Sequence, residues 1–183
     1  MKASTFIGVS LDGFIARLNG SFDFLPEGGG EPHGYDEFMA SVDALIIGRN
    51  TYEVVLAFET WPYGSKPVFV LSTRPIAAAP SGAAVEHMSG MPVDVTHRLT
   101  QRGIQHAYVD GGITIQRFLR AGLIQRLIIT RVPVLIGTGI PLFGAVPHDI
   151  HLKHIATREY AGGLVKSEYE VLSASAPRNT PTQ

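Results

Sequence analysis

The 183-residue sequence predicts an α/β domain: a mostly parallel central sheet flanked by helices, with an antiparallel hairpin at its C-terminal end. Five short apolar runs alternate with segments of helical periodicity, which is typical of a parallel sheet covered by helices. In the last third, two strand-like segments flank Gly162-Gly163, a dipeptide suited to the positive φ angles of a tight hairpin turn.

The predicted strands are nearly continuous in apolar residues, as strands buried on both faces tend to be. They cover residues 2–9, 44–47, 68–71, 106–109 and 127–130, and the hairpin arms cover 151–160 and 164–172. Helices are predicted at 35–42, 51–58 and 113–121. In the last helix Ile115, Phe118 and Leu119 recur at helical spacing, and Gly122 is placed to end it.

Length and composition indicate one globular domain. Residues 1–172 are expected to form it, and the polar, proline-containing segment 173–183 is expected to be a disordered tail. The net charge of −1 argues against a nucleic-acid binder. The sequence has no cysteine, which excludes disulfides, thiolate nucleophiles and cysteine metal sites, and we expect no metal site among the histidines. No apolar run suits a signal peptide or a membrane span, which favours a cytoplasmic protein.

Two strand ends carry residues that suit phosphate groups. Gly48-Arg49-Asn50-Thr51 follows the second predicted strand, where a helix N-terminus offers free backbone N–H groups and a positive dipole end. Asn50 is expected to cap this helix, with Glu53 completing a capping box. Ser72-Thr73-Arg74 ends the third strand, and a hydroxyl pair followed by arginine suits a phosphate monoester.

A third strand end adds glycines. Asp110-Gly111-Gly112 follows the fourth predicted strand and opens a helix, so a ligand could approach the backbone where a Cβ would intrude. Each of the three junctions taken alone is also compatible with an ordinary capped helix, polar loop or tight turn. Their occurrence together favours a nucleotide site at the carboxyl edge of the sheet.

The ordered set of motifs resembles one family. Ser10-Leu11-Asp12-Gly13-Phe14-Ile15-Ala16 comes first, the three junctions follow, and the segment Pro133 to Phe143 with Gly137-Thr138-Gly139 completes the set. The order, over residues 2–172, is similar to that of the RibD C-terminal-domain reductases, here as a stand-alone member. The resemblance implies the dihydrofolate reductase-like fold and an NADPH-dependent reductase acting on a small heterocyclic (pterin- or ribosylaminopyrimidine-like) or carbonyl substrate.

The resemblance also implies where NADPH would lie. Its phosphates would contact Gly48, Arg49 and Thr51, and its adenosine 2′-phosphate would face Ser72, Thr73 and Arg74. The pyrophosphate and nicotinamide ribose would lie against Gly111, Gly112 and Ile113. The far wall of the site would be completed by Ile136, Gly137 and Leu142.

The proton that balances the hydride needs a donor, and three carboxylates are candidates. Asp36 and Glu37 lie on the helix before the Gly48 motif, and Asp12 is a second choice. Each is equally compatible with a solvated surface carboxylate. The competing function is a non-catalytic module that binds NADPH or another dinucleotide, and a phosphotransferase is disfavoured because no G-x-x-x-x-G-K-[ST] loop is present. The family resemblance and the long hairpin suggest a homodimer.

Overall fold

The computed structural model describes residues 1–26 and 33–172. The predicted disordered tail, 173–183, lies outside the described residues. The main sheet contains β1 (Lys2–Ser10), β3 (Ala44–Gly48), β4 (Val68–Leu71), β5 (Val85–Met88), β6 (His106–Asp110), β7 (Arg126–Val132), β9 (Leu152–Tyr160) and β10 (Leu164–Val171). Two short strands, β2 (Phe14–Ala16) and β8 (Ile140–Pro141), form a separate pair. The helices are α1 (Tyr35–Ser41), α2 (Arg49–Leu56), α3 (Pro92–Gln101) and α4 (Gly112–Arg120).

The eight-stranded sheet has the order β5-β4-β3-β6-β1-β7-β10-β9. The first six strands in this order pair in parallel, and β10 and β9 pair antiparallel beyond β7. The predicted fold class, a mostly parallel sheet with a C-terminal antiparallel hairpin, is confirmed. Gly162 and Gly163 turn the hairpin with φ angles of 76° and 77°, as their lack of a Cβ allows.

Both faces of the sheet are covered, which explains the continuous apolar runs. Alternate residues of β3 point to opposite sides, so Ala44 and Ile46 pack under α3 and α4 while Leu45 and Ile47 pack under α1 and α2. All four side chains are fully buried. Most of the apolar core therefore lies in two layers, one on each side of the parallel strands.

Four elements of the structure were not predicted from sequence. Strand β5 (Val85–Met88) carries Glu86 and His87 in its middle, and helix α3 follows it at Pro92–Gln101. The short strands β2 and β8 were also missed, since two or three residues give no periodicity. β5 lies at the sheet edge, where exposed polar side chains replace the apolar run that marks an inner strand.

Strands β1 and β6 separate before they reach the carboxyl edge of the sheet. Their ladder covers only Lys2–Ser4 of β1, while β1 continues to Ser10 alongside β7. Two side chains bridge the widening gap: Thr5 donates its hydroxyl to Val109 O at 2.6 Å, and Tyr108 donates its own to Phe6 O at 2.7 Å. The separation opens a crevice at the carboxyl edge, the place where open α/β sheets bind ligands.

No helix in the described part of the chain is both long and apolar enough to cross a membrane.

Candidate active site

Two helix N-termini converge at the carboxyl edge of the sheet. Helix α2 begins directly after β3, and α4 begins two residues after β6 ends. β3 and β6 are parallel neighbours with Ile47 opposite Asp110, so the two helices start side by side. Neither N-terminus has a side-chain cap. The first backbone N–H groups of both helices are therefore available to an anion.

Glycines allow the two turns to approach each other closely. A Cβ on Gly48 would lie 2.8 Å from the Thr114 hydroxyl oxygen. A Cβ on Gly111 would overlap the Thr51 hydroxyl oxygen, and the φ angle of Gly111 is +89°. The predicted residues Gly48, Thr51 and Gly111 are thus brought together, with Gly112 following at the first position of α4. These residues, called the cradle, hold the two helix N-termini together, and a side chain at either glycine would collide with a threonine hydroxyl.

The start of α2 differs from the sequence prediction. The helix begins at Arg49 with Gly48 as its N-cap residue, so the predicted Asn50 cap and capping box are wrong. Asn50 is an exposed residue inside the first turn. Glu53 instead accepts a hydrogen bond from Arg49 Nη1 at 2.6 Å, one helical turn away. This ion pair holds the Arg49 guanidinium on the side of the helix, beside its N-terminus.

The loop after β4 is shaped by Ser72. Its hydroxyl donates to Arg74 O at 2.6 Å and accepts the Arg74 N–H at 3.0 Å, so this hydroxyl is used within the loop. Thr73 and Arg74 are exposed. The ring of His87, in β5, hydrogen-bonds Ser72 O at 2.9 Å, which places an imidazole beside the same loop. Sequence reasoning missed His87 because it missed β5.

The remaining predicted wall residues belong to a loop pair beyond β1 and β7. Gly137 has a φ of +75° and Ile136 is half-buried. Leu142 is only 1% exposed and packs in the core, while its backbone N–H donates to Gly13 O at 3.0 Å. Its side chain therefore supports the loops and lies behind the wall of the crevice. Ile113, in contrast, is 65% exposed at the start of α4.

Asp110 is a functional candidate that sequence reasoning treated only as part of a turn. It ends β6, is partly exposed, and accepts the Gly111 N–H on its Oδ1 at 2.7 Å. Burial raises the pKa of its carboxyl group to about 6, against the lowering effect of that N–H and of the Tyr108 hydroxyl. A carboxyl group that titrates near neutral pH at a cleft is the kind of group that general acid–base catalysis uses.

Three tyrosines surround Asp110. Burial raises the pKa of Tyr35 to about 12 and raises those of Tyr63 and Tyr108 as well, and the Asp110 charge raises all three further. Tyr35 comes from α1, Tyr63 from the loop after α2 and Tyr108 from β6. Elements far apart in sequence therefore bring three protonated phenols within electrostatic range of one carboxyl group.

The three carboxylates predicted as proton donors lie elsewhere. Asp36 and Glu37 are exposed in the first turn of α1, whereas the face of α1 that meets the sheet carries Tyr35 and Phe38. Asp12 lies in the loop after β1, where backbone N–H groups hold its carboxylate. Among residues 1–26 and 33–172, no three His, Asp or Glu side chains are grouped closely enough to hold a metal ion.

Comparison with known proteins agrees with this architecture. Residues 90–166 match the RibD C-terminal domain family. The protein YwjB of Bacillus subtilis is 34% identical over 174 residues, spanning 92% of this chain and 97% of that protein. The crystal structure of a candidate riboflavin biosynthesis protein from Shewanella sp. PV-4 superposes with a TM-score of 0.86 and 38% identity, covering 94% of this chain and all of that one.

A more distant likeness identifies the fold. Dihydrofolate reductase from Enterococcus faecalis, solved with NADP(H), superposes with a TM-score of 0.62 at 16% identity, covering 93% of this chain and 94% of that one. At this identity the likeness concerns the fold alone. The 34% identity to YwjB over nearly the full length of both proteins carries the family assignment. The chain therefore belongs to the RibD C-terminal domain family and has the dihydrofolate reductase-like fold.

Proposed function

We propose that this protein is an NADPH-dependent reductase of a small heterocyclic or carbonyl substrate. The observation that carries the proposal is the cradle formed by Gly48, Thr51 and Gly111 at two uncapped helix N-termini, beside a crevice that holds Asp110. A dinucleotide pyrophosphate is an anion that such paired N-termini bind well. The family assignment and the NADP(H) complex of the Enterococcus faecalis enzyme support the same cofactor.

The residues present fit the cofactor along the edge of the sheet. Backbone N–H groups at the starts of α2 and α4 would bind the pyrophosphate, with the Thr51 hydroxyl between them and Arg49 alongside. Gly112 and Ile113 would border the nicotinamide ribose, and Ile136 with Gly137 would form the wall beyond. The missing Cβ atoms at Gly48, Gly111 and Gly112 let Thr114, Thr51 and the residues around Ile15 pack directly against these turns, which fixes the positions of the backbone N–H groups.

Arg74 is the residue proposed to select NADPH over NADH. Its side chain is exposed at the end of β4, two strands away from β6, and it makes no ion pair within the described residues. A guanidinium is a strong, oriented donor to the 2′-phosphate that distinguishes the two cofactors. Thr73, exposed beside Arg74, and His87, which hydrogen-bonds Ser72 O of the same loop, would add donors.

Asp110 is the proposed proton donor, in preference to Asp36, Glu37 and Asp12. When bound, the cofactor supplies the hydride, and the protein must hold the acceptor carbon close and deliver a proton. Asp110 is half-buried at the mouth of the crevice with a pKa of about 6, so a usable fraction is protonated near neutral pH. The Tyr35 and Tyr63 hydroxyls would donate hydrogen bonds to polar atoms of the substrate ring.

The cofactor assignment is tested by titrating the protein with NADPH and NADH. The only tryptophan, Trp61, has its ring 5.2 Å from that of Tyr63, so quenching of its fluorescence reports binding beside the crevice. We expect NADPH to bind at least tenfold more tightly than NADH, and Arg74→Ala to abolish this preference while leaving NADH binding unchanged. Arg120→Ala, an exposed arginine at the end of α4, is the matched control. If neither NADPH nor NADH binds, the proposal is wrong.

Binding without turnover would support the competing function instead. A protein that binds NADPH tightly but oxidises it with no member of a dihydropterin, ribosylaminopyrimidine and carbonyl panel would be a dinucleotide-binding module. Asp110 favours the reductase, because a partly buried carboxyl group whose pKa is raised to about 6 is suited to delivering a proton.

We further propose that two copies associate through β9. Residues 152–159 of this edge strand are exposed on both faces, and Ile155 is 47% exposed. An antiparallel edge pairs with a second copy by two-fold symmetry. Pairing centred on Ala156 would place Lys153 of each copy opposite Glu159 of the other, which joins opposite charges at both ends.

A further inference from the structure

Asp12 joins two loops that are far apart in the sequence. Its Oδ2 accepts the N–H of Gly137 at 2.7 Å and that of Ile136 at 3.2 Å, while its Oδ1 accepts the Ser10 hydroxyl at 2.5 Å. These hydrogen bonds, with that of Ser10 above all, lower the pKa of the Asp12 carboxyl group. The group is therefore a charged acceptor at neutral pH, which makes each of these bonds stronger than a neutral one.

The rest of the two loops is joined by backbone contacts. Leu11 N–H donates to Val134 O at 2.8 Å, and Leu142 N–H donates to Gly13 O at 3.0 Å. Directly after Gly13, β2 pairs with β8, with Phe14 opposite Pro141 and Ala16 opposite Ile140. Residues 10–16 and 134–142 thus form one unit, called the clamp below, and the Asp12 carboxylate is its side-chain connection at the end nearest the carboxyl edge.

The clamp rests on the start of α4. A Cβ placed on Gly112 would lie 3.1 Å from Ile15 Cδ1, 3.2 Å from Ile140 Cγ2 and 3.2 Å from Pro141 O. The position of the clamp is therefore coupled directly to the helix N-terminus in the proposed cofactor site. Gly137, whose N–H is bonded to Asp12, adopts a φ of +75°, a conformation that the bond helps to hold.

The clamp lies at one end of the proposed cofactor site. It follows β1 and β7, whereas Arg74 follows β4, three strands away from β1 in the sheet order. Neighbouring strands lie about 4.8 Å apart, so the two ends of the site are separated by roughly 14 Å. A residue that shapes the clamp acts on the nicotinamide end of a bound cofactor and not on its adenosine end.

We infer that Asp12 is a positioning residue: it holds the loops 10–16 and 134–142 together against α4 so that the nicotinamide half of the cofactor is bound in place. The inference rests on the proposed NADPH site, and it assigns Asp12 a role other than proton donation. Asp12 contacts loop amides and the Ser10 hydroxyl. It acts on the nicotinamide half of the cofactor, whereas Arg74 would bind the 2′-phosphate of the adenosine half.

The test compares two ligands that share one half. NADPH spans the whole site, whereas 2′,5′-ADP carries only the adenosine half with its 2′-phosphate. We expect Asp12→Ala to weaken NADPH binding about tenfold, a loss of about 1.4 kcal/mol, and to leave 2′,5′-ADP binding within about twofold. Asp12→Asn keeps one carbonyl acceptor and should restore about half of that loss. Asp149→Ala, an exposed carboxylate in the loop before β9, should change neither ligand.

Amide hydrogen exchange supplies an independent readout. In Asp12→Ala, exchange at Ile136 and Gly137 should accelerate in the absence of any nucleotide, with β3 and β6 unchanged. Equal loss of both ligands, or NADPH binding as tight as in the unsubstituted protein, would overturn the inference while the proposed function stands. If the unsubstituted protein binds neither ligand, the proposed function is wrong and the inference is overturned with it.

Discussion

The Asp110 carboxylate accepts the backbone N–H of Gly111 at 2.7 Å, which places the half-buried acid at the end of β6 against a glycine of the cradle. The glycine belongs to the proposed pyrophosphate site, and the acid faces the crevice where a substrate would bind. The proposed proton donor and the proposed cofactor site therefore meet at two adjacent residues, Asp110 and Gly111. A single strand end positions both, and substitutions at each can separate their contributions.

Asp110 predicts an unusual dependence of stability on pH. Burial raises its folded-state pKa to about 6, above its usual 3.8, so its contribution to stability is fully present below about pH 3.8 and is lost as the pH rises through about 6. We expect Asp110→Asn to gain stability relative to the unsubstituted protein between pH 4 and pH 7, by on the order of 2 kcal/mol. Urea unfolding followed by Trp61 fluorescence at both pH values measures this difference.

Asp43 provides a control of opposite sign for that measurement. Its Oδ2 accepts the N–H groups of Gln105 and His106 at 2.8 Å each, and these bonds lower its pKa. Its contribution is present above the unfolded pKa and is lost as the pH falls through the folded pKa. Asp43→Asn should therefore lose stability relative to the unsubstituted protein at neutral pH. Parallel profiles for Asp110→Asn and the unsubstituted protein would show that Asp110 is not buried as described.

The proposed role of Asp110 as proton donor also predicts how turnover responds to substitution. Asp110→Asn should lower kcat by on the order of 100-fold while NADPH affinity stays within about twofold, because an amide cannot deliver the proton. Asp36→Asn and Glu37→Gln should each change kcat less than threefold, since both carboxylates are exposed on α1. Single-turnover oxidation of NADPH, with an acceptor identified from the substrate panel, measures all three. If kcat falls strongly in Asp36→Asn or Glu37→Gln and is unchanged in Asp110→Asn, the proton donor lies on α1 and not at Asp110.

Replacing Gly111 by alanine should lower the free energy of unfolding by more than the positive φ angle alone would cause. Gly111→Ala places a methyl group on the Thr51 hydroxyl at a φ of +89°. Gly103 has a nearly equal φ of +86° with open space around its Cα, so Gly103→Ala isolates the cost of the backbone angle, about 1 to 2 kcal/mol. We expect Gly111→Ala to cost about 3 kcal/mol by urea unfolding and to weaken NADPH binding more than tenfold. Equal costs for the two variants would contradict the close approach of Thr51.

The proposed dimer predicts a defined mass in solution. By light scattering after size exclusion, the protein should have about twice the 19.7 kDa chain mass. Ile155→Lys places two added charges near the two-fold axis and should yield the monomer. Val93→Lys makes the same change at a 57% exposed position on α3 and should leave the dimer intact. A monomer in the unsubstituted protein, or an intact dimer in Ile155→Lys, would exclude the β9 interface.

Interior strands and the chemistry of the strand ends were predictable because each leaves a local signal. β3 reads Ala44-Leu45-Ile46-Ile47 because both of its faces are buried, and the glycines after β3 and β6 stand where a Cβ cannot be tolerated. Edge elements leave weaker signals. In β5 the apolar residues are interrupted by Glu86 and His87, so the sequence did not predict this strand. The position of the His87 ring beside Ser72 was missed for the same reason.

The sequence by itself determined the fold class, the family resemblance and the three glycine or hydroxyl junctions, because periodicity and short-range spacing are properties of contiguous residues. Only the tertiary structure decided which carboxyl group occupies the crevice. Asp110 has its raised pKa because the packing around the end of β6 removes most of its contact with water, and Asp12 is a charged loop connection because residues 136 and 137 lie against it. Burial and long-range hydrogen bonds depend on residues distant in the chain, such as Asp12 and Gly137, which are 125 positions apart, and no local pattern records them.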